Sequence, residues 1–251
     1  MTDDYFSWNT HTKKHKDLTY ILGAKCKDGV VLVSDRKVSY RSGLVEFQDK
    51  LFQDVEFAIT GSSGVAGLYD KFRTRITHAV MKMKAKSKKN NKPIGSHDFI
   101  QKVEKIAFDL NSMYRKRDNR LYFDVLMGVK TNRYAVLRYI DPSGVEEPVK
   151  SYKAIGSGYL FGESILRTLW HKNITMEEIA RCGYFIIKQI ETLNLDRAVG
   201  VGSGKAQIYY IPDDPHIPIR RATTNELKKA KADINHKFRE YRNVLKELFI
   251  P

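Results

Sequence analysis

Residues 17–38 read DLTYILGAKCKDGVVLVSDRKV. Two apolar runs, Tyr20 to Cys26 and Val30 to Ser34, flank a Lys-Asp-Gly turn, which is the pattern of a β-hairpin. Nearly every position in both runs is apolar, more than a single buried face requires. Both strands are therefore expected to be covered on both faces. The second run ends on Asp35 beside Arg36, and Thr19 opens the first. Function turns on whether Thr19 merely begins a strand or becomes an N-terminal nucleophile.

Outward from this hairpin, strand-like runs recur at GLVEF, LFQD and EFAITGSS. Val65, Leu68, Phe72, Ile76, Val80 and Met83 then follow helical spacing. A lysine-rich loop is expected next, before a second helix with Ser96 as its N-cap. YFDVLMGVKT and RYAVLRYID read as strands turning at KTN, and SYKAIGSG reads as a short strand. Two more helices, YLFGESILRTLWHK and TMEEIARCGYFIIKQIETLN, precede a strand pair at AVGVGS and AQIYYI. The closing helix opens on Thr223-x-x-Glu226, a capping-box pattern, and carries Leu227, Ile234, Phe238, Tyr241, Leu245 and Leu248 on one face. Paired helices alternating with hairpin-linked strands predict an α+β fold, a four-layer α/β/β/α sandwich of two antiparallel sheets. Residues 1–18 form a tail ahead of one domain over 19–251.

Composition narrows the function classes. The 251 residues include two cysteines, Cys26 and Cys182, too far apart for metal-ligand spacing. The chain shows no cofactor motif, and neither cofactor nor metal is expected. No signal-peptide or membrane-span pattern is present, so a cytoplasmic protein with no membrane partner is expected. The net charge is +15, yet six lysines crowd into Lys82 to Lys92 and many others lie on the last helix. No aromatic residue interleaves with that run, so a solvated basic surface is expected rather than a nucleic-acid site.

Over residues 19–211 the sequence resembles the proteasome-type N-terminal-nucleophile hydrolases, above all their β-type subunits. A threonine, a glycine four residues on and KDGVVLVSDRKV together match the family's first hairpin. On this resemblance Thr19 takes the place of the nucleophile, Asp35 of the hairpin acid and Lys50, in DKLF, of the catalytic lysine. Gly64, in TGSSGVAG, takes that of the oxyanion amide donor; Ser157 and Asp196 match the auxiliary serine and aspartate. In such chemistry the threonine's freed α-amine acts as base, Lys50 stabilises the alkoxide, and Asp35 holds Lys50 charged. The Gly64 amide would stabilise the tetrahedral oxyanion, an effect of about 3–4 kcal/mol. The α-type members carry a longer N-terminal segment with a pore-gating helix, which the short polar tail does not copy. The long C-terminal helix is the more α-like feature.

Two positions depart from the self-processing pattern. Leu18 stands where a glycine normally precedes the threonine, and Val199 stands where a serine is expected after Asp196. Ser203 restores that serine if a short insertion is accepted. Two readings follow from the resemblance. In the first, a threonine peptidase acts on peptide or unfolded-protein substrates after loss of residues 1–18. In the second, a non-catalytic subunit keeps its tail and serves a structural or interaction role. Both imply a homo-oligomeric ring, or one built with related proteasome-like subunits.

Overall fold

The structure is a computed structural model, and it describes residues 19–39, 45–193, 195–196, 199–201 and 206–249, with the backbone alone at 39, 66 and 237–249. The chain runs β1 (Ile21–Cys26), β2 (Gly29–Ser34), β3 (Lys37–Ser39), β4 (Val45–Phe47), β5 (Leu51–Val55), β6 (Ala58–Gly64), α1 (Ala66–Asn90) and α2 (Ser96–Arg115). It continues with β7 (Phe123–Lys130), β8 (Ala135–Ile140), β9 (Glu146–Val149), β10 (Tyr152–Ile155), α3 (Tyr159–Leu169) and α4 (Met176–Thr192). The last elements are β11 (Gln207–Pro212), β12 (Arg220–Arg221) and α5 (Thr224–Phe249).

One sheet has the order β10-β1-β2-β11-β12, the other β5-β6-β7-β8-β9, and every pairing within each is antiparallel. The two-residue turn at Lys27–Asp28 sets the β1–β2 register, pairing Cys26 with Gly29 and Ile21 with Ser34. Because side chains alternate along a strand, that register divides the hairpin between two cores. Tyr20, Leu22, Val31 and Val33 face outward to α3 and α4, where Leu166, Ile179, Ile186, Ile187 and Ile190 cover them. Ile21, Val30 and Leu32 face inward and meet Leu51, Ile59, Leu126 and Leu137 of the second sheet. Phe123, Val125, Met127 and Val129 then point away to Leu68, Phe72, Ile76, Phe99 and Val103 of α1 and α2. This is the four-layer α/β/β/α sandwich expected from the sequence, with its continuous apolar strands covered on both sides.

Several local expectations need correction. The lysine-rich stretch is no loop, since α1 continues through it to Asn90 and ends on left-handed Asn91. Straight-chain lysines are good helix formers, so only charge argued for a loop. Gly95 caps α2 and Ser96 is its first helical residue. Val199, Gly200 and Val201, the described part of AVGVGS, are not in a strand; the short β12 pairs with β11 instead. At α5 the capping box is present, with Thr223 Oγ1 accepting from Glu226 N at 3.2 Å and Glu226 Oε2 from Thr223 N at 2.7 Å. Leu227 and Ile234 pack on the outer core, while Phe238, Tyr241, Leu245 and Leu248 lie beyond the described side chains. Among the described residues no helix is long and apolar enough to cross a membrane.

Asn111, toward the C-terminal end of α2 and 1% exposed, fastens that helix to the second sheet. Its amide donates to Phe123 O at 2.9 Å and accepts from Phe123 N at 3.0 Å. Asn111→Leu keeps the branched side-chain shape but leaves polar backbone groups of Phe123 without this partner. The expected cost is about 1–3 kcal/mol, read as a lower midpoint in urea denaturation.

Candidate functional site

Of the residues singled out in the sequence, Thr19, Asp35 and Lys50 lie together where β1 begins, β2 ends and β5 begins. Asp35 is fully buried, and its carboxylate is the centre of the cluster. Oδ1 accepts from Tyr20 N at 2.9 Å and from Lys50 Nζ at 2.8 Å. Oδ2 accepts from Lys37 N at 3.2 Å and Gly200 N at 3.3 Å. Lys50 Nζ also donates to Lys37 O at 2.7 Å. Burial pushes the Asp35 carboxyl above the ordinary range, and the adjacent ammonium together with these donors pulls it back.

Thr19 is 5% exposed and sits directly upstream of this cluster. Its carbonyl oxygen lies so near Gly156 that a β-carbon there would come within 1.9 Å, and Gly156 has φ +91°. Only glycine fits that position. Gly64 has φ +142° at the end of β6, pressed against Tyr122 O and Phe123, so its conformation is explained by strand packing. Ser157 Oγ donates to Asp196 Oδ2, joining the two auxiliary residues. Ser203 and the 1–18 tail lie outside the described residues.

Sequence reasoning missed Gln207. It is fully buried on β11, and its Oε1 accepts from Lys50 N at 2.8 Å and Leu51 N at 2.9 Å, while Nε2 donates to Leu51 O. This side chain pairs with the backbone of one sheet from a strand of the other, and so fixes where Lys50 emerges. The available signal was an amide residue at the head of an otherwise apolar strand, AQIYYI.

Asp124, on β7 opposite Ser63, was also missed. Desolvation raises its carboxyl to about 7, against the hydrogen bonds it accepts from Ser63 N and Tyr139 and the pull of Lys153. Lys153 lies 4.9 Å from the Tyr139 ring and 3.9 Å from Glu163, so this group links β7, β8, β10 and α3.

Comparison with known proteins gives the family and corrects the class. Residues 19–211 match the family described as proteasome subunit. A proteasome subunit alpha of Methanococcus maripaludis strain C7 is 28% identical, covering 74% of this chain and 71% of the relative. The corresponding subunit of Methanococcus vannielii is 27% identical over the same shares. The proteasome subunit alpha type-5 of Dictyostelium discoideum is 26% identical, covering 71% and 76%. These relatives are α subunits, the non-catalytic structural class, and they overturn the reading of the chain as a β-like threonine peptidase.

Two outcomes follow from the geometry. Lys50→Met strands the Asp35 charge and is expected to cost about 3–5 kcal/mol in urea denaturation. The double variant Lys50→Met/Asp35→Asn removes that charge but keeps an acceptor, and is expected to be more stable than Lys50→Met alone. For Asp124, the folded state holds a proton that the unfolded chain releases near pH 4. Its contribution to stability is therefore full at low pH and is lost as pH rises from about 4 to about 7. Asp124→Asn, a neutral mimic, is expected to match the wild type near pH 4 and exceed it near pH 8, by several degrees in Tm.

Proposed function

The chain belongs to the proteasome subunit family, and we propose that within it the chain is a non-catalytic, α-type structural subunit that keeps residues 1–18 and builds a ring with related subunits. The observation that carries this reading is that the relatives it matches over 71–74% of its length are proteasome α subunits.

Physical chemistry supports it. While Leu18 remains attached, the Thr19 nitrogen is an amide and has no basic lone pair to activate the hydroxyl. Asp35 and Lys50 have a complete structural task without it. The ion pair closes the gap between β2, β5 and the stretch ahead of β11, and Gln207 holds the same junction from the other side. Threonine at position 19 is then a buried residue leading into β1, its carbonyl fitted against Gly156.

Ring assembly requires contact surfaces, and both helix layers present apolar side chains to solvent. Leu160 on α3 is 65% exposed, and Leu193 and Leu195 after α4 are 56% and 54% exposed. On the opposite layer Phe108 of α2, beside Gly144, is exposed, as are Met113 of α2 and Val145. Exposed apolar side chains on this scale suit burial between subunits.

The test pairs assembly with activity. Native mass spectrometry of protein purified with its related subunits is expected to give a multi-subunit ring containing this chain. Hydrolysis of fluorogenic peptides by that ring is expected to be the same for the wild type and a Thr19→Ala variant. A chain that stays monomeric beside those subunits, or activity lost in Thr19→Ala, would contradict the proposal.

A further inference from the structure

The α1–α2 layer carries a feature that neither the core nor the Asp35 cluster uses. Phe72, Ile76, Ala79 and Val80 of α1 are buried and Met83 packs at the edge of the core. Beyond Met83 every residue to Asn90 is exposed except half-buried Ser87. The helix thus overhangs its own core by nearly two turns while carrying Lys82, Lys84, Lys86, Lys88 and Lys89. Lys88 and Lys89 suit the negative end of the helix dipole. Lys82 with Lys86, and Lys84 with Lys88, are like charges four residues apart, which disfavours the helix.

Between this overhang and the first turns of α2 lies an open cleft of about 570 Å³. Lys82 and Lys86 of α1, Lys92 of the connection and Lys102 of α2 line it, with Asp98 as the acidic lining residue. Met83 and Ile94, both half-buried, contribute apolar surface. Among the described residues none of the four lysines forms an ion pair.

We propose that this cleft docks an acidic peptide segment of a partner protein, one that places a leucine-sized side chain on Met83 and Ile94 between carboxylates paired with the lysines. Charge complementarity selects an anion, and the apolar surface selects a peptide among anions. Met83 adapts to different apolar side chains, and the lysine stems extend the apolar walls while their ammonium groups reach solvent. A nucleic acid offers nothing to that floor, and the lining has neither an arginine fork for phosphate nor an aromatic ring for a base. Asp98 opposes a dense run of phosphates but can accept an N–H from a peptide backbone.

The test is fluorescence anisotropy on the full chain at low salt, with a fluorescein-labelled peptide of Glu-Glu-Leu repeated four times. Its control is Glu-Glu-Ser repeated four times, with the same charge, and a labelled DNA duplex is the third probe. Lys82→Gln/Lys86→Gln/Lys102→Gln removes three of the cleft's four lysine charges and leaves Lys92 and Asp98, whose charges cancel. Lys84→Gln/Lys88→Gln/Lys89→Gln removes equal charge outside it. All six side chains are exposed, so both variants are expected to fold, checked by circular dichroism. The leucine peptide is expected to bind the wild type and the outside variant alike, and the cleft variant about tenfold more weakly or worse. The serine peptide is expected to bind the wild type more weakly than the leucine peptide. Equal losses in both variants, no preference for leucine, no peptide binding, or tighter cleft-dependent binding of DNA would each overturn the proposal.

Discussion

The buried carboxylate of Asp35 holds together four stretches of chain. It takes hydrogen bonds from Tyr20 ahead of β1, Lys37 at the start of β3, Gly200 ahead of β11 and the ammonium of Lys50 at the mouth of β5. A buried charge of this kind is costly unless its lone pairs are filled and a counter-charge is adjacent. Both conditions are met, at 2.8 Å for the ion pair and with three backbone amides. The sheets can therefore close at this end with a polar centre, beside the apolar cluster of Ile21, Leu32, Leu51, Ile59 and Leu126 between them.

That arrangement explains why the same residues support opposite readings from sequence. A threonine, an acid and a lysine in this order suit nucleophilic catalysis, and they also suit a structural junction. The difference lies in a covalent fact, whether the Thr19 nitrogen is an amine or an amide. The similarity to α subunits, and the complete engagement of Asp35 by structural partners, favour the junction. Leu18 in place of glycine had already pointed that way.

The layers and the first hairpin were legible because they follow from period-two and period-3.6 patterns and a short turn. Ser157 and Asp196 were singled out through the family resemblance, and the hydrogen bond that joins them is added by the structure. The class was not legible, because Thr19, Asp35 and Lys50 bear on both readings. Gln207 and Asn111 escaped notice since a lone amide acquires its role only when distant backbone is brought to it. The overhang of α1 was misread because charge density was weighed above helix propensity; Asn91, whose amide donates to Ser87 O, closes the helix well past the core.

The most direct measurement is the intact mass of the chain taken from its native assembly. A mass that includes residues 1–18 leaves Thr19 as an amide inside the chain, as the structural reading requires. A chain beginning at Thr19 would expose a threonine amine beside Lys50 and contradict it.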